Sequence, residues 1–291
     1  MTATLAEDTM ITVQDSDRDF YRQNGYWISP KLFTDEALQD FRAHFDEVLH
    51  GRYETNIPPY SRNLQPSELS SGVTKIANVM WSDSTLSRLI LSEAIGAIAA
   101  DLTQYDCLRY WRDHMWHKPP IIGQSGNVGW HQDYYYWQCA EPSNFVTVWI
   151  ALDDVTRESG CLEYIPGSHE WGLLKTGDLY EQDLEKLQTR LQHETGRTFE
   201  PTFCEMAAGT AAFHNGYILH GSRNNQSNRP RLSISIHMFE EGIRFRDGRA
   251  IKKFSNIKLL SGKDGDLFLG PHFPVIYRRG QQSNPWSSPY P

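Results

Sequence analysis

The sequence predicts a mainly β protein with flanking helices, its strands closing into a double-sheet jelly roll. Three observations predict it. After Cys107 the chain breaks into short runs rich in aromatic and β-branched residues, bounded by Gly, Pro, Asn and Asp. These lie at 107–117, 128–137, 145–152, 162–165, 210–214, 217–220 and 231–239. Helical patterns do not alternate with them, which disfavours a parallel βαβ sheet and leaves a sandwich or barrel. Before Cys107 the apolar spacing is helical.

The elements follow in order. Asp17 to Asn24 reads as a short helix stopped by Gly25, and Tyr26-Trp27-Ile28 as a strand. Thr34 is placed to cap a helix whose first turn holds Asp35 and Glu36, favourable at the positive helix end. Leu38, Phe41, Phe45 and Val48 form its apolar stripe, and Gly51 lies past its end. Residues 53–72 are polar and contain Pro58, Pro59 and Pro66, predicting a long loop near the active site. Ser84 to Leu102 reads as one helix. Among the strands, Asn215-Gly216 predicts a hairpin joining 210–214 to 217–220. One helix interrupts them, Asp178 to Glu194, with Leu184, Leu187 and Leu191 on one face. The reading is of one domain: a helical part at about 15–103, a jelly-roll core at about 105–240 and an extension at about 241–291.

Composition narrows the function classes. A formal charge of −8 over 291 residues argues against nucleic acid as a partner. The most apolar stretch, Leu86 to Leu102, carries Arg88, Glu93 and Asp101, so a buried helix is expected there and no membrane span. Cys107, Cys139, Cys161 and Cys204 form no CxxC pair, and the first residues show no basic-then-apolar leader. Free thiols and a cytoplasmic location are the expectation, for a monomer or homodimer acting on a small molecule.

The chemistry centres on His131-Gln132-Asp133. On a strand, residues i and i+2 share a face, so this imidazole and carboxylate can reach one ion. His-x-acid occurs twice here, about as often as the composition gives by chance. The other match, His44-Phe45-Asp46, falls in a helical pattern, where i and i+2 diverge and cannot share a ligand. A third ligand must come from elsewhere, and His220, His214 and His237 all lie on strand-like segments. Arg231, eleven residues after His220, favours His220: at a strand start it can point inward and clamp a carboxylate in bidentate fashion. Arg229, just before Pro230, is expected to face solvent. Two histidines and one carboxylate form a facial triad that suits non-heme Fe(II) and oxygen. A zinc hydrolase at the same triad gives Arg231 no task, and a non-catalytic jelly-roll binding protein needs no triad.

Taken together, these segments resemble the phytanoyl-CoA dioxygenase family of Fe(II)/2-oxoglutarate-dependent oxygenases, from about Phe20 to Met238. The helix–Gly–strand opening around Gly25, Lys118-Pro119-Pro120, Trp130-His131-Gln132-Asp133 and the strand 146–154 carry the likeness. Ser159-Gly160-Cys161 through Pro166-Gly167-Ser168-His169 and the closing His220-Gly221-Ser222…Asn225…Arg231 complete it. The resemblance implies a double-stranded β-helix, the cupin-like jelly roll. It implies that His131, Asp133 and His220 hold Fe(II). It implies that Arg231, helped by Ser222, binds the distal carboxylate of 2-oxoglutarate, and that Thr147 and Trp149 lie beside that cosubstrate. O2 is the other cosubstrate, with succinate and CO2 as coproducts. A carboxylate at Asp133, where related halogenases have a small residue, implies hydroxylation, or desaturation or ring closure by the same centre. His169 is read as ordering its turn.

For the substrate, the aromatic residues around the metal segment offer Trp116, Tyr135 and Trp137 as wall residues, with Tyr135 and Trp137 facing inward if strand phase continues past Asp133. Aromatic walls suit a ring-containing or cationic small molecule. No extended basic groove for coenzyme A is legible. The first reading is a hydroxylase in natural-product tailoring; a hydroxylase of an acyl-CoA or amino acid is the alternative.

Overall fold

The computed structural model describes residues 11–120, 126–176, 179, 181–247 and 263–281. Helices α1 (Asp15–Asn24), α2 (Asp35–Leu49), α3 (Ser84–Ile90) and α4 (Glu93–Thr103) precede most of the strands. Between them lie β1 (Tyr26–Ile28), β2 (Ser61–Arg62) and β3 (Thr74–Ala77). The β-rich part holds β4 (Cys107–Lys118), β5 (Val128–His131), β6 (Ala140–Glu141), β7 (Phe145–Ala151) and β8 (Leu162–Tyr164). Helix α5 (Leu184–Thr195) leads to β9 (Thr202–Cys204), β10 (Ala211–Asn215), β11 (His220–Ser222) and β12 (Arg231–Glu240), with β13 (Arg244–Phe245) and β14 (Val275–Arg278) last.

The strands form a jelly roll of two principal antiparallel sheets. The large sheet runs β1-β10-β7-β12-β4-β3-β2, with β14 also on β4; the small sheet runs β5-β11-β8-β9. Side-chain alternation divides the large sheet into two chemistries. Val146, Val148, Ile150, Ile234, Ile236 and Met238 join the core cluster shared with Leu38, Phe41, Phe45 and Val48 of α2. The intervening Thr147, Trp149, Ser235 and His237 line a cavity with residues of the small sheet. The helices therefore back one face of the sheet and leave the other for chemistry.

Several local expectations change. The single helix over 84–102 is two: Ser92 accepts a hydrogen bond from the Ile95 N–H and starts α4 afresh. Helix α5 begins at Leu184, because Asp183 caps it by accepting from the Lys186 N–H; Asp178 itself lies outside the described residues. The 53–72 segment contributes the short strand β2, and none of its residues lines the cavity among the described residues. Asn215-Gly216 is not a hairpin. It turns the chain from the large sheet (β10) into the small one (β11), and the strand placed at 217–220 lies at His220–Ser222. Asn215 Oδ1 accepts the Tyr217 N–H, and a Cβ on Gly216 would stand 3.1 Å from the Phe145 Cβ, so the dipeptide serves a corner and not a two-residue loop. All four cysteines are free and buried, and no described helix is long and apolar enough to cross a membrane.

Candidate active site

His131 and His220 sit directly opposite each other on β5 and β11, their ring centroids 4.1 Å apart. Each donates its Nδ1–H to a backbone carbonyl two residues back, Gly129 at 2.8 Å and Ile218 at 3.0 Å. That fixes the tautomer and leaves both Nε2 lone pairs for a metal. Burial pushes the His220 pKa well below its ordinary value, so it stands neutral, as a ligand must.

Asp133 completes the cluster. Its Oδ1 lies 3.7 Å from His131 Nε2 and 4.0 Å from His220 Nε2, and the ligand atoms of all three residues lie within 4.8 Å of one another. The regular strand ends at His131, and Asp133 begins a 3-10 turn, Asp133–Tyr136. Gln132 between them keeps an extended backbone (φ −112°, ψ 130°), so the alternation that aims both side chains one way persists for the one step that matters. The Gln132 side chain is fully buried and holds this step, donating to the Gly172 and Tyr217 carbonyls and accepting from the Leu174 N–H.

Asp133 Oδ2 is occupied by protein. Thr147 donates to it at 2.7 Å and His214 Nε2–H at 3.2 Å; His214 Nδ1 in turn accepts from Tyr164 O–H at 2.8 Å. With its proton given to Asp133, Thr147 Oγ1 accepts from His237 Nδ1 at 2.8 Å, and His237 Nε2 accepts from His114 Nδ1 at 3.0 Å. Burial works to raise the Asp133 pKa. The nearby His237 imidazole and the hydrogen bond from His214 outweigh it and hold the carboxyl well below its ordinary value. The two other strand histidines weighed as ligands, His214 and His237, thus stand behind the carboxylate.

Arg231 opens β12 opposite Lys118 at the end of β4. It is only 3 % exposed, and its Nε and Nη1 have no hydrogen-bond partner among the described residues. Its guanidinium lies 4.9 Å over the Trp149 ring. Lys118, fully buried, donates to Ser222 Oγ at 2.6 Å and to the Arg223 carbonyl. Burial lowers the pKa of both cations, and the Arg231 charge further lowers that of Lys118. Two dry cations face each other across a ladder with donors to spare, an arrangement that an anion completes. Lys118 was legible only as part of Lys-Pro-Pro, a pattern that does not reveal that its ammonium turns inward.

The cavity is also lined by Trp116, Tyr136 and Trp137, whereas Tyr135, read from the sequence as a wall residue, is not among its lining residues. The 3-10 turn has three residues per turn, so Tyr136 shares a face with Asp133 while Tyr135 turns away. Trp137 packs edge-on against His237, centroids 4.9 Å apart. His169 lies outside this group, with Nε2 near the Arg22 carbonyl, and Arg229 is exposed.

Residues 21–233 match the family model for phytanoyl-CoA dioxygenase (PhyH). The chain belongs to the phytanoyl-CoA dioxygenase family. That family comprises Fe(II)/2-oxoglutarate-dependent oxygenases, and the chain is an enzyme of this kind. The peroxisomal phytanoyl-CoA dioxygenase of Mus musculus is 25% identical over 245 residues, covering 79% of this chain and 69% of that protein. Among solved structures, the non-heme α-ketoglutarate-dependent carbocyclase SnoK from nogalamycin biosynthesis superposes with a TM-score of 0.71 at 24% identity, covering 94% of this chain and 99% of that one. EctD from S. alaskensis, solved with 2-oxoglutarate and 5-hydroxyectoine, gives a TM-score of 0.67 at 17% identity, covering 91% and 89%. These solved structures share this jelly roll, and the likeness spans nearly the whole chain.

Proposed function

We propose that this enzyme hydroxylates an unactivated C–H bond of a small molecule in natural-product tailoring, with His131, Asp133 and His220 holding Fe(II) and Arg231 binding 2-oxoglutarate. The observation that carries the site assignment is the pairing of a His–Asp–His cluster with a buried, partnerless arginine in one cavity. A zinc hydrolase would leave that arginine unused.

With oxygen, the bound iron and 2-oxoglutarate supply the oxidant, 2-oxoglutarate leaving as succinate and CO2 while one oxygen atom enters the substrate. The chain's own residues set the conditions for this. The Gly129 and Ile218 carbonyls aim the two Nε2 atoms. Thr147 and His214 hold Asp133 Oδ2, so that Oδ1 is the oxygen offered to the ion. Arg231, with Ser222 held by the Lys118 ammonium, orients the distal carboxylate and denies it water. Trp149 supports the guanidinium. Tyr136, Trp137 and Trp116 form the apolar walls for the substrate. The free, buried cysteines suit a reducing cytoplasm.

Succinate formation from 2-oxoglutarate with Fe(II), oxygen and a panel of small ring-bearing compounds tests the reading. Asp133→Ala is expected to lower it at least about a thousandfold, since one protein ligand in three is lost and a buried charge network is broken. A mutant that still turned over 2-oxoglutarate at the wild-type rate would sink the metal assignment.

A further inference from the structure

The Pro166-Gly167-Ser168 turn has no part in the chemistry so far, yet it grips the segment that leads into His220. Strands β8 and β11 pair in register from Leu162↔Ser222 to Tyr164↔His220. One step further the ladder is only half made. Ile165 N–H donates to the Leu219 carbonyl at 3.0 Å, but the Ile165 carbonyl does not take the Leu219 N–H in return. It accepts the Ser168 N–H at 3.1 Å, because the chain turns between them. Gly167 there takes φ 75° and ψ −5°, the left-handed position of a type II turn. A buried N–H left in this way needs another acceptor. Leu219 N–H donates to Ser168 Oγ at 2.8 Å, and both residues are fully buried. A serine hydroxyl thus stands in for a strand carbonyl, one residue before a metal-ligand candidate.

That bond matters because of what shares its peptide group. The Leu219 N–H and the Ile218 C=O belong to one planar trans unit and point opposite ways. The Ile218 carbonyl is the acceptor of the His220 Nδ1–H at 3.0 Å. The contacts therefore run from Ser168 Oγ through a single peptide group to the His220 ring, and end on the lone pair at Nε2. We propose that Ser168 is a positioning residue for the metal. It fixes the Ile218–Leu219 peptide plane so that its carbonyl aims His220, and by accepting from the N–H it makes that carbonyl the better acceptor. The inference rests on the metal-ligand assignment proposed above. His131 takes its acceptor from Gly129 on β5, and so serves as an internal control.

The test uses the full chain loaded with Co(II). Each imidazole N–H of a Co(II)-bound histidine gives its own strongly shifted proton resonance, which exchanges with solvent. Wild type is expected to show one from His131 and one from His220, the second being the one absent from His220→Gln. Ser168→Ala should lower Co(II) affinity about tenfold. It should also shift the His220 resonance and speed its exchange, while the His131 resonance stays in place. Ser168→Thr, which keeps the hydroxyl, should match wild type. If Ser168→Ala does not fold, Ser168→Cys is read in its place, since it keeps the size and offers only a weak acceptor. Unchanged affinity with both resonances intact overturns the proposal. So does an equal disturbance of both resonances, which a general loosening of the fold would give, and so does a loss in Ser168→Thr as large as in Ser168→Ala. Failure of the metal assignment looks different: wild type would not show the two resonances, or Asp133→Ala would bind Co(II) as tightly as wild type.

Discussion

At Asp133 the two carboxylate oxygens are kept apart by their partners. Oδ2 takes the Thr147 and His214 donors while Oδ1 faces the two imidazoles. Arg231 shows the opposite condition, a buried side chain with two nitrogens unpaired. Such a group is costly unless a ligand satisfies it, so its removal should be felt in cosubstrate binding far more than in folding. Arg231→Ala is expected to raise the Kd of 2-oxoglutarate about a hundredfold, roughly 3 kcal/mol, while changing metal affinity less than about threefold. Titrations of Fe(II)-loaded protein without oxygen give both numbers; a Kd within threefold of wild type would move the carboxylate contact elsewhere. The residues of the centre were largely legible because each rests on a local rule: strand alternation for His131 and Asp133, the dryness of a strand start for Arg231. Tyr136 was not, because the switch from a two-residue to a three-residue period after Gln132 leaves no mark in the run Tyr134-Tyr135-Tyr136.

The pairing of β5 with β11 brings the two histidines together, and it depends on Gly221. The register shifts between His220 and Ser222, and a Cβ on Gly221 would stand 2.9 Å from the Val128 carbonyl oxygen. Glycine inside a strand marks such close backbone approach. Gly221→Ala should push β5 away from β11 and separate His131 from His220. Overpacking of this kind typically costs about 1–3 kcal/mol. The expected outcome is an Fe(II) affinity lower by about tenfold or more with the far-ultraviolet circular dichroism preserved; unchanged affinity would show that the strands absorb the extra carbon. At this scale the sequence was read unevenly. Long elements with strong periodicity, such as α2, β4, β7 and β12, lie close to where the pattern placed them. Corners did not: Asn215-Gly216 has hairpin composition, but whether its flanking strands pair depends on partners far along the chain, β7 for β10 and β5 and β8 for β11. The break at Ser92 was missed because the apolar spacing runs across it while only its cap hydrogen bond marks the restart.

Across the whole molecule, the site joins two sheets that have separate supports. The large sheet rests on the helices through its outer face, whereas the small sheet packs part of its exterior against α5 through Trp130, Leu187 and Leu191. His131 and His220 belong to the small sheet, and Arg231, Lys118, Thr147 and His214 to the large one. Without ligands, Asp133 links the sheets through its hydrogen bonds to Thr147 and His214. A metal on the small-sheet histidines and a dicarboxylate on the large-sheet cations would each bind the folded chain and not the unfolded one. Stability should then rise with ligand concentration, by about 2.7 kcal/mol at a hundred times Kd. For a chain of this size that corresponds to about 4 °C in Tm. Mn(II), which does not support turnover, serves as the metal in a thermal unfolding series. Wild type should gain from Mn(II) and gain again from 2-oxoglutarate added with it. Arg231→Ala should keep the first increment and lose the second, whereas Asp133→Ala should lose both, since the metal goes and the cosubstrate loses its second anchor. A full 2-oxoglutarate increment in Arg231→Ala, or one in wild type without metal, would mean that the two sheets are not joined through this centre.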